Sequence, residues 1–422
     1  MILIKDGRLI DPRSGIDEIR DIVVEGERVR YIGKFRVGDE YERVIDARSR
    51  VVAPGFVDVH VHFREPGQTH KEDIASGSAA AARGGFTTVV CMANTKPAVD
   101  NPQVLRQVLD SAARSPIRVR TVAAVSKGLA GREPTDMNEM KNMGAVGFSD
   151  DGAPIVDTAF LRRAMSAVRE MDVPISLHEE DPALIGRPGI NDGEVSAAFG
   201  FAGAPGVSES SMVARDCMLA LDTGAKVHMQ HLSCAESIAA VRLARSLGAN
   251  VTAEATPQHF SLTEKAVLEK GTLAKLNPPL RSEDDRYAVI AGLKDGTIDM
   301  IATDHAPHSD EEKARPLTEA PSGLTGLETS LALGITNLVR KGHLSLIDLI
   351  GKMTLAPARL YGFDSGYLAE GAQADIVIFD DRESWIVADF ASKAHNSPFI
   401  GRTLLGKVKY TLCRGKVVYE DA

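Results

Sequence analysis

Two histidines separated by one valine, His60 and His62, are the sharpest chemical signal in the chain. They lie in a short apolar run, residues 56–63, that is typical of a buried strand, and alternate side chains of a strand point to one face. The two imidazoles therefore lie side by side on rigid backbone, where they can ligate a metal ion. Because the motif is short, the alternative is a pair of surface histidines.

Further histidines and carboxylates follow later apolar runs. These candidate ligands are Asp150, Asp151, His178, His231 and Asp304. Each comes at the C-terminal end of a predicted strand, where barrel enzymes assemble their active sites from different strands. A single residue of this kind is usually a cap or a turn residue. Together with the histidine pair, however, the set predicts two divalent ions with one carboxylate between them.

The other polar signals surround this predicted centre. Arg64 follows the histidine pair, and a guanidinium can hold a carboxylate through paired hydrogen bonds. The alternative for Arg64 is a surface ion pair. Asn94 and Asn277 follow predicted strands and suit either substrate binding or a turn. His308 lies in a loop close enough to reach a ligand.

Three more histidines are not assigned as metal ligands. His228 lies three residues before His231, so on a strand it faces the opposite way and is assigned a structural role. His305 is expected to point away from its neighbour Asp304. For His259, a role behind the ligands and a packing role are both open.

Eight predicted strands position these residues, and helical patterns lie between most of them. The strands are residues 56–63, 86–92, 117–125, 145–148, 173–177, 226–231, 251–254 and 300–303. This alternation predicts an α/β fold with a (β/α)₈ TIM-type barrel. The alternative, a doubly wound open sheet, is weakened because no Gly-rich phosphate turn follows the first strand.

Both ends of the chain contain short β segments and turns. Asp6-Gly7 is typical of a hairpin turn after the first segment. We expect residues 1–53 and 364–422 to form one small β-sandwich domain, and residues 54–363 to form the barrel.

Composition excludes several classes of function. The formal net charge of −9 argues against nucleic acid or an anionic membrane as a partner. No apolar run reaches the length of a transmembrane helix, and we expect no signal peptide. The four cysteines, Cys91, Cys217, Cys234 and Cys413, are scattered without a CxxC motif. The expected location is therefore the reducing cytoplasm.

The motifs taken together resemble the cyclic amidohydrolases of the amidohydrolase superfamily, specifically the bacterial type I dihydroorotases. The resemblance covers essentially the whole chain and is most specific in HFREPG and MANTKP. Further matching stretches are PGFVDVHVHFREPG, GAVGFSDDG, ISLHEE, HMQHLS, KLNPPLR, IATDHAPH, GLTGLET, LAPARLYG and LAEGAQADIVIFD.

This resemblance implies a metal-dependent enzyme of pyrimidine biosynthesis. The reaction is the reversible hydrolysis of the cyclic amide of L-dihydroorotate to N-carbamoyl-L-aspartate. The implied metal ligands are His60, His62, Asp151, His178, His231 and Asp304. The implied cofactor is zinc, as one or two ions per chain, with two favoured and Asp151 bridging them. Asp304 is also the implied proton carrier.

Substrate contacts follow from the same resemblance. They are His62, Arg64, Asn94, Asn277 and His308, with Ser322 and Gly323 through their backbone. The resemblance also suggests a homo-oligomer and a complex with aspartate transcarbamoylase. Because the segment 309–323 is charged and contains proline, we expect a mobile flap there.

Two residues depart from the pattern. The carboxylated lysine that bridges the metals in many relatives is missing, since residues 145–152 contain no lysine, and Asp151 takes its place. Ser322 stands where a larger apolar residue is expected. The competing interpretations are a hydantoinase or allantoinase, and a non-catalytic scaffold for a partner enzyme.

Overall fold

The computed structural model describes residues 1–34 and 40–421, so residues 35–39 and 422 of the predicted small domain lie outside the described part. The strands are β1 (Ile2–Asp11), β2 (Ile16–Glu25), β3 (Arg28–Gly33), β4 (Arg43–Asp46), β5 (Val51–Pro54), β6 (Phe56–Val61), β7 (Phe86–Cys91), β8 (Arg118–Thr121), β9 (Ile175–Leu177), β10 (Val227–Met229), β11 (Val251–Ala255), β12 (Met300–Ile301), β13 (Ile376–Ile386), β14 (Thr403–Cys413) and β15 (Lys416–Glu420).

The α-helices lie mainly between the strands of the middle of the chain. They are α1 (Ile74–Arg83), α2 (Pro102–Ala112), α3 (Met137–Met143), α4 (Thr158–Met171), α5 (Glu194–Ala198), α6 (Gly206–Thr223), α7 (Ala235–Ser246), α8 (Pro257–Ser261), α9 (Ala266–Lys270), α10 (Glu283–Asp295), α11 (Asp310–Lys313), α12 (Ser330–Gly334), α13 (Leu346–Met353) and α14 (Leu355–Leu360). No helix among the described residues is long and apolar enough to cross a membrane.

Local sequence explains where these helices begin and end. Asn101 caps α2 by accepting hydrogen bonds from two backbone N–H groups of its first turn, and Pro102 follows at the position where proline fits best. Asp157 caps α4 in the same way, and α6 ends at Gly224 in the left-handed conformation.

Strands from both ends of the chain share one eight-stranded sheet. Its order is β15-β14-β13-β5-β1-β2-β3, and β4 also pairs with β1. Apolar residues of these strands, such as Ile22 and Ile378, form a core cluster of their own. The expected sandwich is therefore a single hydrogen-bonded sheet, because β1 pairs with β4 through its first half and with β5 through its second.

The hairpin predicted at Asp6-Gly7 is wrong. The chain continues through both residues as part of β1, and the register of β1 against β2 shifts between Ile4 and Gly7. Asp6 has a φ of 58°, which is typical of a β-bulge. A side chain at Gly7 of β1 would collide with Val52 of β5, so only glycine lets β1 and β5 approach each other here.

The middle of the chain has a TIM-barrel-type arrangement of parallel strands. Hydrogen bonds connect β6-β7-β8 in one group and β9-β10-β11-β12 in another. Isolated parallel bridges lie between the groups, through Phe148 on one side and between Val61 and His305 on the other. Most of these strands are shorter than the sequence predicts, and their C-terminal ends carry the candidate site.

The predicted strand over residues 145–148 is reduced to bridges at Phe148, to Ala123 and to Ile175. The Phe148 N–H donates to the carbonyl of Pro174, and Ser176 N–H donates back to Phe148. Pro174 has no N–H, so the ladder cannot extend one step further toward Val146.

Candidate active site

Four histidines and two aspartates meet at the C-terminal ends of the barrel strands. His60 is on β6, and His62 follows that strand directly. Asp151 follows the bridge at Phe148, His178 follows β9, and His231 and Asp304 follow β10 and β12. The structure thus brings together all six residues that the sequence proposes as metal ligands.

Asp151 lies at the centre of this cluster, with each carboxylate oxygen near different rings. Its Oδ1 lies 3.4 Å from His60 Nε2, 3.7 Å from His178 Nδ1 and 3.8 Å from His231 Nε2. Its Oδ2 lies 3.4 Å from His62 Nε2. Two groups have the spacing of a metal site, one with His60 and His62, the other with His178 and His231, and Asp151 belongs to both.

Neighbouring side chains turn the rings of three histidines toward Asp151. Glu254 Oε1 accepts from His60 Nδ1 at 2.6 Å, and Asn94 Oδ1 accepts from His62 Nδ1 at 2.9 Å. Glu180 Oε2 accepts from His178 Nε2 at 3.0 Å. In each ring the other nitrogen faces the carboxylate, and this is the nitrogen that would bind a metal ion once its proton is displaced.

Two buried atoms in this cluster make no hydrogen bond within the described chain: His60 Nε2 and Asp151 Oδ1. A buried polar atom without a partner costs about 1–3 kcal/mol, and a metal ion would satisfy both atoms. The donor set of imidazole nitrogens and carboxylate oxygens suits zinc. The residues present therefore fit the metal that the family resemblance implies.

The charges of the cluster also favour a cation. Burial lowers the pKa of His60, but the carboxylates of Asp151, Glu254 and Asp304 outweigh it and raise that pKa well above its usual value. Burial opposes ionisation of Asp151 and Asp304, yet the neighbouring histidines hold the pKa of each carboxyl below its ordinary range. Positive charge is therefore stabilised at this point, whether it is a proton or a metal ion.

Three site residues adopt the left-handed backbone conformation. The φ angles are 58° for Arg64, 32° for His231 and 49° for Asp304. Non-glycine residues in this region carry strain, and such residues are concentrated at functional sites. Each of the three follows a strand, where the chain turns sharply into a loop and the side chain is redirected into the site.

Asp150, the competing candidate for the bridging carboxylate, points elsewhere. Its carboxylate accepts from the backbone N–H groups of Val125 at 2.7 Å and Ser126 at 3.1 Å, and from the Ser126 hydroxyl. It therefore holds the loop after β8, and burial raises its pKa to about 6.

Arg64 and His308 lie beside each other in the cavity lining. Arg64 Nε donates to the carbonyl of Pro307 at 3.2 Å. His308 Nε2 donates to the carbonyl of Ser322 at 2.9 Å. Burial and the charges of Arg64, Lys71 and Lys313 lower the pKa of His308 to about 2, so its ring is neutral. This wall of the cavity presents cationic and neutral groups to a ligand.

Both candidate asparagines reach the same space. Asn94 bonds to His62 and also donates through Nδ2 to Asp151 Oδ2 at 3.1 Å, so it contacts two of the proposed metal ligands. Asn277 Oδ1 is buried and, within the described chain, makes no hydrogen bond. Its amide is free to bind a ligand in the cavity.

Ser322 and Gly323 belong to a segment whose backbone is held by buried lysines. Lys275 Nζ donates to the carbonyls of Leu317 and Ala320 at 2.8 and 2.7 Å. Lys313 Nζ donates to those of Pro321 and Gly323 at 2.9 and 3.0 Å. The N–H of Gly323 donates to the Lys275 carbonyl. Mobility of residues 309–323 stays a prediction.

A cavity of about 430 Å³ opens between these groups. Its lining includes His62, Arg64, Asn94, Asp151, His178, His231, Asn277, Asp304, His308, Ser322 and Gly323. His60 lies beneath it with 1% of its surface exposed. All the residues that the sequence proposes for substrate contact therefore line one space.

Sequence reasoning missed the residues behind the ligands. Glu254 Oε2 also bonds to His228 Nε2 at 3.0 Å, and His228 Nδ1 bonds to Thr252 Oγ1 at 2.9 Å. His228 is thus outside the ligand cluster, as expected, and supports it. The signal for Glu254 was present, since it is an acidic residue inside an otherwise apolar strand.

The other two histidines that the sequence sets apart from the metal ligands, His305 and His259, also lie apart from Asp151. His305 Nε2 lies 3.3 Å from Glu72 Oε2, pointing away from Asp304 as expected. His259 donates through Nε2 to the carbonyl of Pro278 at 3.1 Å and bonds through Nδ1 to Thr256. His259 therefore joins two loops near the site.

Comparisons with known proteins agree with this geometry. A model of the amidohydrolase family matches residues 51–418. Among curated relatives, the dihydroorotase of Clostridioides difficile (strain 630) is 58% identical over 420 residues, covering 100% of both chains. The dihydroorotase of Lactococcus lactis subsp. lactis (strain IL1403) is 56% identical and covers 99% of both.

Solved structures show the same architecture. The L-hydantoinase (dihydropyrimidinase) from Arthrobacter aurescens superposes with a TM-score of 0.87 at 28% identity, covering 99% of this chain and 96% of that one. With the family match over most of its length and more than half of its residues shared with curated relatives, the chain belongs to the amidohydrolase family, in the branch of the dihydroorotases.

Proposed function

We propose that the chain is a dihydroorotase of de novo pyrimidine biosynthesis. It catalyses the reversible hydrolysis of the cyclic amide of L-dihydroorotate to N-carbamoyl-L-aspartate. The observation that carries the proposal is the full-length similarity to curated dihydroorotases. A cavity lined by both the His/Asp cluster and Arg64 supports it.

The proposed metal ligands divide into two sets that share Asp151. His60, His62 and Asp304 would hold one zinc ion, and His178 and His231 would hold the other. When bound, zinc supplies Lewis acidity and lowers the pKa of coordinated water. Support for a shared Asp151 comes from its two oxygens, which face different histidines.

Asp304 is the proposed proton carrier between water and the leaving ring nitrogen. Its side chain is 12% exposed, so one face is open to the cavity while Oδ1 contacts His62 Nε2 at 3.0 Å. Its lowered pKa keeps the carboxylate ionised and ready to accept a proton. The same group then delivers that proton to the ring nitrogen.

Substrate orientation is assigned to the other residues of the cavity lining. Arg64 binds the carboxylate of dihydroorotate through its planar fork, with help from Asn94. Asn277, His308 and the backbone of Ser322 and Gly323 bind the polar edge of the ring. Holding the ring at both ends places its amide carbonyl against the metal site in one orientation, which contributes much of the rate.

The competing cyclic amidohydrolase activity is hydantoinase-type. A hydantoin ring without a carboxylate would give the Arg64 guanidinium no anion to bind in the cavity, so Arg64 would add little to the affinity for such a ring. The presence of Arg64 on the cavity wall therefore favours a substrate with a carboxylate.

Dihydroorotate depletion and metal analysis on the purified chain test the proposal. We expect turnover of dihydroorotate, up to two zinc ions per chain, and little turnover of hydantoin or allantoin. The Asp304→Asn variant is the matched control, and it should remain folded with almost no hydrolysis. Preferential turnover of hydantoin or allantoin would contradict the proposal.

The proposal also covers the domain organisation, the cellular location and the association of the chain. We propose that residues 1–53 and 364–422 form one domain, and that the barrel strands of residues 54–363 close into a ring of eight. A cytoplasmic location agrees with four free, buried cysteines. Association with itself or with aspartate transcarbamoylase rests on the family resemblance, and light scattering with and without that enzyme tests it.

A further inference from the structure

The connection between β13 and β14, residues 387–402, leaves the terminal sheet and packs against loops around the cavity; it is called the strap below. Two buried carboxylates anchor it. Glu328 accepts from the N–H groups of Ala391 and Ser392, at 2.9 and 3.2 Å. Glu72 accepts from the Ser392 hydroxyl and from the Lys393 N–H, the latter at 3.3 Å.

Asn396 is the strap residue that reaches furthest toward the site. It is 1% exposed. Its Nδ2 donates to the carbonyls of Ala306 at 3.2 Å and Gly323 at 3.0 Å, and its Oδ1 accepts from the N–H of His308 at 3.1 Å. Because all three partners are backbone groups, the orientation of the amide follows from chemistry.

The partners of Asn396 belong to two loops that lie side by side in the cavity lining, where the Ala306 N–H donates to the Leu324 carbonyl at 2.7 Å. One loop, residues 304–308, carries Asp304 and His308. The other, residues 321–325, carries Ser322 and Gly323, and the Thr325 N–H donates to the Asn396 carbonyl. The two loops also meet where His308 Nε2 donates to Ser322. Asn396 therefore adds a brace from the strap to two neighbouring loops of the cavity lining, beside the backbone contact that these loops make with each other.

Of the other described side chains, His308 also joins the two loops, through the Ser322 carbonyl, but Lys313 does not. Lys313 Nζ donates to Pro321 and Gly323, which lie on the same loop. It stiffens that loop without connecting it to the backbone of Ala306 and His308. Gly323 has a φ of 132°, and a side chain there would collide with Ala306. The close approach that Asn396 holds in place thus depends on a glycine.

We propose that Asn396 is a positioning residue for substrate binding, acting through the backbone of His308 and Gly323. The inference rests on the proposed function, because His308, Ser322 and Gly323 are its proposed substrate contacts. It also makes the strap, and through it the terminal sheet, part of the active-site scaffold.

The Asn396→Asp variant tests the role directly. It keeps Oδ1 for the His308 N–H, removes both donors, and places a carboxylate against two carbonyls. Since each lost hydrogen bond contributes on the order of 1 kcal/mol, we expect KM for dihydroorotate to rise about tenfold or more. Because the zinc ligands are untouched, kcat should change much less, and metal content should match that of the wild type.

Two further variants keep the test decisive. Asn396→Ser removes all three contacts, including the acceptor for the His308 N–H, without adding charge and should raise KM at least as much. Lys393→Ala is the matched control within the strap, because its ammonium contacts Asp73 and the Thr69 carbonyl, outside the cavity lining. Its KM should stay within about twofold of the wild type, since exposed ion pairs contribute little.

Hydrogen exchange provides a measurement that does not depend on turnover. Both Asn396 variants should exchange faster in residues 304–308 and 321–325, while Lys393→Ala should not. If the wild type fails to hydrolyse dihydroorotate, the proposed function is wrong, and exchange still decides the role of Asn396. Unchanged KM and exchange in folded variants, equal effects in Lys393→Ala, or unfolding of both Asn396 variants would overturn the inference.

Discussion

Glu254 determines how His60 faces the metal site. Its two oxygens bind His60 Nδ1 and His228 Nε2, so a neutral amide would lose the charged acceptor that fixes the ring. We predict that Glu254→Gln lowers zinc affinity by about 10- to 100-fold, the usual effect of removing a group behind a ligand. Competition with a chromogenic chelator measures it. Exposed Glu269→Gln is the control, and unchanged affinity in Glu254→Gln would contradict the assignment.

Asp150 and Asp151 are adjacent in sequence and separated in role. We predict that Asp151→Ala loses zinc and turnover because its carboxylate lies between both ligand sets. Asp150→Ala should keep more zinc and instead lose about 1–3 kcal/mol of stability, because it leaves the N–H groups of Val125 and Ser126 without an acceptor. Metal analysis and urea unfolding separate the two effects. Full zinc content in Asp151→Ala, or a carboxylated lysine in the site, would refute the bridging role.

At the scale of elements, loops of the barrel depend on individual glycines. A side chain at Gly323 would lie 2.8 Å from Ala306 Cβ and 3.2 Å from His308 Cδ2. Gly323→Ala should therefore cost about 1–3 kcal/mol of stability and weaken substrate binding. Gly296→Ala is the matched control, since Gly296 also has a positive φ but has no neighbour within 4 Å. Thermal unfolding and KM report the two effects, and equal behaviour of the variants would exclude the close-approach argument.

Glu72 anchors the strap, and its contribution to the stability of the fold depends on pH. Burial opposes ionisation of Glu72, but hydrogen bonds from His305, Ser392 and Ser76 outweigh it and hold its pKa below the usual value. The unfolded chain therefore binds this proton at higher pH than the folded chain does. The stabilisation is complete above the ordinary carboxyl pKa of about 4.3 and is lost as the pH falls through the lower folded value.

We accordingly predict that Glu72→Gln is less stable at neutral pH by about 1–3 kcal/mol and loses less stability on acidification than the wild type. Urea unfolding at several pH values checks this, with Glu269→Gln as the exposed control. Parallel acid profiles for the wild type and Glu72→Gln would show that Glu72 is not a stabilising anchor.

Prediction from sequence succeeded where local periodicity decides the geometry. The alternation of His60 and His62 on one strand, and the placement of polar residues after apolar runs, located the candidate metal ligands, and the family resemblance favoured Asp151 over Asp150. Prediction from sequence failed where the pairing of distant segments determines the geometry. Glu254 meets His60 only because their strands face the same interior, and Asn396 reaches His308 from a connection in the terminal sheet. Pro174 shortened a strand that hydrophobicity alone predicts.

For the whole molecule, zinc is expected to act as a stabilising ligand. A ligand that binds only the folded state stabilises it by about 2.7 kcal/mol at one hundred times its Kd. We predict that chelation lowers the thermal unfolding temperature and that added zinc restores it. Asp150→Ala should retain this response and Asp151→Ala should lose most of it. Calorimetry that gives one unfolding temperature for chelated and zinc-loaded wild type would contradict a site of this strength.

The position of β5 has a consequence for how the protein is made on the ribosome. This strand ends two residues before β6, which carries His60, and it lies between β1 and β13 in the terminal sheet. When the ligands from His60 to Asp304 have emerged, β5 still lacks β13, and the loops at His308 and Gly323 still lack Asn396. A nascent or prematurely terminated product would therefore carry every proposed zinc ligand without the contacts that complete the proposed substrate cavity.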